Sequence, residues 1–196
     1  MPNSTGNKAD KRERLVESAK SLFYEQGVHP TTLAEVAARA EVPLGNVYYY
    51  FKTKEQLIAA VVDSRTAEAR ETLVSFDQKR TPQARLKALA HGWVEIAETV
   101  TRYGCPLGSL CTELGKNAHD VAVDAGMPFA LVIEWAEQQM RELGRRDARD
   151  LAFSLLARIQ GAALLAQSFR DPGILTREAR LIDRWIDGLD ESTTPR

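Results

Sequence analysis

Apolar residues recur at spacings of three and four along most of this chain, the repeat of helices packed on one face. Leu15, Ala19, Leu22 and Phe23 form the first stripe, opened by a capping pattern at Asp10 and Glu13 and closed by Gly27 ahead of His29-Pro30. Thr32 and Glu35 repeat the capping pattern before Leu33, Val36, Ala37 and Ala40. Glu41-Val42-Pro43 then predicts a tight turn, with Pro43 near the first position of the next helix. That helix, over about 44–51, buries Val47 and Phe51 and turns Gly45, Asn46, Tyr49 and Tyr50 to other faces. Thr53 and Gln56 cap a longer helix through Leu57, Ile58, Val61, Ala69, Leu73 and Phe76.

Beyond it, Thr81-Pro82 opens a helix whose stripe runs over five turns from Leu86 through Trp93 and Ile96 to Tyr103. Gly104 and Pro106 break it, and a shorter helix follows. Amphipathic helices are expected over 127–143, 148–169 and 176–189, the last two separated by the turn residues Asp171-Pro172-Gly173. The 148–169 segment leaves only a narrow polar strip, and a helix apolar on most sides must bury most sides. One side can meet the core and the other a second subunit. Leu155, Ile159, Ala163 and Ala166, with Leu181, Trp185 and Leu189 of the last helix, are therefore the dimerisation candidates. A fully internal helix in a monomer is the alternative. Strand-type alternation is absent, so the fold class is all-α.

Composition narrows the function. An apolar fraction of 44% permits an ordinary core. The net charge is −1, with +2 from eight basic and six acidic residues in positions 1–54 and −3 from the rest. That sign suits an N-terminal part facing phosphates. No apolar run looks long enough to span a bilayer and the N-terminus lacks a hydrophobic signal region, so a soluble, cytoplasmic protein without a membrane partner is expected. Two cysteines do not make a disulfide framework, and no His/Cys/Asp spacing resembles a metal site. His91 or His119 beside Cys105 could be imagined as a Cys-His enzyme, but no orienting partner or Gly-rich loop accompanies them. No cofactor is expected.

The stretch 31–54, TTLAEVAARAEVPLGNVYYYFKTK, carries the functional signal. A capped helix, a three-residue turn and a short second helix make a helix-turn-helix, with one helix bracing on the DNA backbone and the other entering the major groove. Thr32 and the start of its helix can bond a phosphate. Lys54 opens the following helix, where a cation opposes the helix dipole unless a phosphate lies near. Tyr48, Tyr49 and Tyr50 offer hydroxyls and ring surface, with Tyr48 the one expected to be partly core. Asn46 and the bare backbone of Gly45 are the natural base-edge contacts. Lys8, Lys11, Arg12 and Arg14 read as a solvated face that can add backbone affinity.

The run TTLAEVAARAEVPLGNVYYYFKTKEQL strongly resembles the N-terminal domain of TetR-family transcriptional regulators, specifically over about 11–60 and in architecture beyond. Residues 1–9 are polar without apolar periodicity and read as a disordered arm; the resemblance implies an N-terminal three-helix helix-turn-helix DNA-binding domain over 10–54, with the motif at about 31–51. It further implies a C-terminal helical ligand-binding and dimerisation domain over 55–190 and a tail over 191–196. By motif position it implies DNA contacts at Thr32, Leu44, Gly45, Asn46, Tyr48, Tyr49, Tyr50 and Lys54. The implied partners are a double-stranded DNA operator, a second copy of the chain and a small-molecule effector that weakens operator binding. Repressor is the expected sense, with activation the alternative. Trp93, Tyr103, Cys105, Cys111, Phe129 and Trp135 are the candidate effector lining, and a Gly-Cys at 104–105 resembles electrophile- or oxidant-responsive relatives as well as flavonoid-responsive ones. Glu41 departs from the family, which often has Gly at this turn. A positive φ there would strain a glutamate.

Overall fold

The computed structural model describes residues 4–116 and 126–189. The expected arm's first three residues, His119 and the expected tail over 191–196 lie outside them. Every regular element described is a helix: α1 Ser4–Gln26, α2 Leu33–Arg39, α3 Leu44–Tyr50, α4 Lys54–Asp77, α5 Pro82–Glu95, α6 Ala97–Tyr103, α7 Pro106–Lys116, α8 Met127–Glu142, α9 Ala148–Phe169 and α10 Gly173–Asp187.

Two compact units result, and their boundary falls inside helices rather than at the expected 54/55 junction. Described residues up to Ala67 join those between Ser109 and Met127; the remainder form the second unit. The first unit is α1 to α3, the first part of α4 and the end of α7, closed around Leu15, Ala19, Val36, Val47, Phe51, Leu57 and Val61 with Leu110 and Leu114. In the second, α10 packs on both α5 and α9, and α6 lies on α9. Leu86, Met140, Leu155, Ile182 and Ile186 are at most 1% exposed at its centre. Full burial of such side chains contributes about 1.5–3 kcal/mol each.

Several expectations change. α1 starts at Ser4, so residues 4–9 of the expected arm are helical and Asp10 is no cap; it lies within the helix, 3.9 Å from Arg14 in an i,i+4 pair. The five-turn helix divides at Ile96 (φ −106°, ψ 17°) into α5 and α6. The division lets Leu86, Leu89 and Ala90 serve one apolar cluster and Ala97 and Val100 another, leaving Ile96 exposed. By length and composition α9 would suffice to cross a membrane, contrary to the sequence reading. One side of it is nonetheless core: Leu155, Ile159, Ala163 and Ala166 are buried within the same unit, as is Leu189. These five proposed dimer contacts hold helices down and present nothing to a partner. Only Leu181 and the half-buried Trp185 of that set reach the surface.

Candidate nucleic-acid interface

The start of α2 is a complete capping box. Thr32 is extended (φ −103°, ψ 156°) and its hydroxyl oxygen accepts the Glu35 N–H at 3.2 Å. In return, Glu35 Oε2 accepts the Thr32 N–H at 2.7 Å and the Thr32 hydroxyl at 2.8 Å. Those two donors hold the Glu35 carboxyl below its ordinary value of 4.5, the backbone N–H first. The expected Thr32–phosphate bond must therefore compete with a carboxylate already in place.

The turn owes its sharpness to a Schellman motif, in which two N–H groups past the helix end return to carbonyls of its last turn. Val42 N–H donates to the Ala37 carbonyl at 3.0 Å and Glu41 N–H to that of Ala38 at 3.2 Å. The geometry requires a left-handed residue at position 41, and Glu41 takes it at φ 53°. Buried Val42 and Ala40 then pin the turn to the core.

Pro43 precedes α3 as its N-cap, and its carbonyl accepts the Asn46 N–H at 2.8 Å. Within α3, Val47 is fully buried and Phe51 caps the end at 3% exposure, so the helix has a single possible rotation. That rotation exposes Leu44, Gly45, Asn46, Tyr48 and Tyr49. A Cβ added at Gly45 would meet nothing within 4 Å, so the fold itself has no need of glycine there. The tyrosines divide differently from expectation. Tyr48 is 48% and Tyr49 62% exposed, whereas Tyr50 is the half-buried one, packed on the core with Tyr49 edge-on at 5.0 Å. The reason is angular: Tyr50 lies three positions from Val47 and shares its face.

Lys54 begins α4 with its ammonium donating to the His29 carbonyl at 3.1 Å. Burial pushes its pKa below the ordinary 10.5, opposed by the carboxylates of Glu55, Glu113 and Glu35. Arg12, counted at first among solvated charges, stacks at 5.3 Å over the Phe51 ring that ends α3. An apolar ring four residues past Val47 and an arginine one turn after Lys8 were visible in the sequence, but their meeting was not.

The six effector candidates are divided between the two units. Cys111 belongs to the first unit and the other five to the second. Trp93 and Phe129 pack against the cluster holding Cys105 and also, together with Trp135, against the cluster around Leu86 and Met140; Trp135 donates its indole N–H to Asp77 at 2.9 Å. Tyr103 lies half-buried under Arg102. Cys105 is buried and its Sγ accepts the Gly108 N–H at 3.1 Å, the role of a helix cap. A described cavity of about 450 Å³ lies instead between α9 and α10, lined by Gly161, Leu165, Ile174 and Leu181 with Arg158 and Arg177 at its edge. None of the six lines it. The exposed apolar side of α9 is the stripe Phe153, Ala157, Gly161, Leu165 and Phe169; the sequence reading expected a second apolar side on this helix but did not single out this stripe, although its spacing of four was there to be read.

Comparison with known proteins places this geometry. Residues 15–61 match the family model described as bacterial regulatory proteins, tetR family. The chain is 30% identical over 192 residues to the HTH-type transcriptional repressor DhaR of a Mycobacterium species, covering 94% of this chain and 92% of that one. It is 25% identical over 191 residues to the HTH-type transcriptional regulator TtgR of Pseudomonas putida, covering 91% and 90%. In fold it is similar to the crystal structure of a TetR-family regulator from Cytophaga hutchinsonii, with a TM-score of 0.80, 18% identity and coverage of 93% and 96%.

Proposed function

This chain belongs to the TetR family of bacterial regulators, and from that premise we propose that it is a ligand-released repressor binding a pseudo-palindromic operator as a homodimer. Its class is a DNA-binding transcriptional regulator rather than an enzyme. The observation that carries the finer reading is the rotation of α3. Burial of Val47 and Phe51 leaves one edge, Leu44 to Tyr49, directed outward with Asn46 and Gly45 at its start. The N-terminal part of a recognition helix is where base edges are read. Asn46 suits adenine, bare Gly45 permits close approach, and Tyr48 and Tyr49 suit phosphates and thymine methyls. Tyr50, being part of the core, supports the edge more than it reads. Thr32 and Lys54 flank it as backbone contacts, and Arg12 joins them.

A second copy is supported by the α9–α10 face. Phe169 is 71%, Leu164 63%, Leu165 and Phe153 48% and Leu181 43% exposed. So much exposed apolar surface on these two helices is costly in water and is relieved when two copies meet. Two copies would then place their α3 helices in successive major grooves, about 34–36 Å apart. Burial of Cys105 and its use as a cap favour a reversibly bound apolar effector, near Trp93 and Phe129, over a thiol-reactive one. Weaker operator binding would follow from the effector's preference for one of two states.

The test starts with a duplex selected from random DNA by the wild-type chain. Lys54→Ala should weaken all duplexes alike and reduce the salt slope by about one, while Asn46→Ala should relax base preference at one position of each half-site. An unchanged salt slope with Lys54→Ala refutes its phosphate role.

A further inference from the structure

We propose that Glu113 is a positioning residue for DNA binding: from α7 it holds the α1–α2 loop and, through that loop, Lys54. The inference rests on the DNA-contact reading of Lys54 given above. Residues 27–32 have no helix of their own to satisfy their backbone, so each polar group must find a partner elsewhere. Gly27 ends α1 at φ 97° and returns its N–H to the Phe23 carbonyl at 3.1 Å. The next N–H, that of Val28, donates to Glu113 Oε2 at 2.6 Å across 85 residues of sequence. Gly27 makes room for that carboxylate, since a Cβ there would lie 3.1 and 3.2 Å from its two oxygens.

Glu113 reaches this place because Leu110 and Leu114, on the same face of α7, are buried in the core with Leu15, Val36 and Val47. The loop is drawn in from its other end as well: Thr31 donates its hydroxyl to the Gly27 carbonyl at 2.7 Å and accepts from Gln26 at 3.2 Å. Between these two ties stands His29, whose carbonyl accepts from Lys54 Nζ. One carboxylate thus fixes Val28, Val28 fixes the neighbouring His29 carbonyl, and that carbonyl aims Lys54. A negative charge close to a surface that must meet phosphates works against binding by itself. Its placement makes sense as a charge-assisted hydrogen bond to a backbone group that nothing shorter could reach.

Two conservative variants separate reach from charge. Glu113→Asp keeps the charge and withdraws the oxygens by one methylene; Glu113→Gln keeps the reach and loses the charge. With the full-length chain and the selected duplex, Glu113→Asp should bind roughly tenfold more weakly, and Glu113→Gln within about threefold of wild type. Exchange of the Val28 amide should accelerate in the Asp variant and stay slow in the Gln variant. Adding Lys54→Ala to Glu113→Asp should cost less than the product of the two separate losses. Equal Val28 protection in all three proteins overturns the proposal, as does wild-type binding by Glu113→Asp, equal loss in both variants, or a fully multiplicative double variant. Failure of the wild-type chain to select any duplex would defeat the regulatory reading itself, a separate result.

Discussion

Glu41 offers the sharpest quantitative test, because the same backbone motif occurs three times among the described residues with different residues at its left-handed position. After α8, Arg145 N–H donates to the Met140 carbonyl at 3.1 Å around Gly144, at φ 77°. After α9, Asp171 N–H donates to that of Ala166 at 3.1 Å around Arg170, at φ 54°. After α2 the left-handed residue is Glu41. A non-glycine residue in this region costs roughly 1–2 kcal/mol from the clash of Cβ with the following carbonyl. Glycine removes that cost but gives back roughly 0.5–1 kcal/mol through its greater freedom when unfolded. Glu41 is exposed, so little packing is lost with its side chain. Glu41→Gly should therefore stabilise by about 0.5–1 kcal/mol, or roughly 1–4 °C in a protein of this size. Urea and thermal unfolding followed by helical circular dichroism measure this directly. Glu41→Gln is the control: it removes the charge but keeps the Cβ, and should leave stability unchanged. The reasoning is refuted if the glycine variant is no more stable than wild type, or if the glutamine variant gains as much.

Two further outcomes are expected. Because hydrogen bonds from Thr32 depress the Glu35 pKa, the contribution of this carboxylate to the cap is complete above about pH 4.5 and is lost as pH falls through the lower folded value. An NMR titration of the Thr32 amide should show a midpoint below 4.5, returning toward it with Thr32→Ala; a midpoint at or above 4.5 contradicts the capping geometry. On the α9–α10 face, Leu165→Asp with Phe169→Asp should yield a monomer by sedimentation with helix content intact, since both side chains are exposed. A dimer that survives the pair must use another surface.

Local chemistry made much of the molecule legible from sequence. The Thr32–Glu35 box, the Thr81-Pro82 helix start and the break at Gly104 each depend on residues within a few positions of one another, and each stands where the pattern put it. The rotation of α3 was legible too, since Val47 and Phe51 are the apolar pair one turn apart. What the pattern could not contain is which of two apolar sides of a helix meets its own core. Leu155, Ile159, Ala163 and Ala166 looked like an interface and are interior, while Phe153, Leu165 and Phe169 occupy the outward side. Periodicity gives the angle between residues around a helix but no origin for that angle; packing of α9 on α6 and α10 supplies it. The division of Tyr48 and Tyr50, by contrast, could have been read from the three-residue spacing of Val47 and Tyr50, whereas the meeting of Glu113 and Val28 could not. Their hydrogen bond spans 85 positions, and only the burial of Leu110 and Leu114 beside the first three helices brings them together. Sequence alone determined most of the helices and the caps that open them, though not the helical start at Ser4 or the division at Ile96; tertiary packing decided which faces turn outward and which distant residues meet.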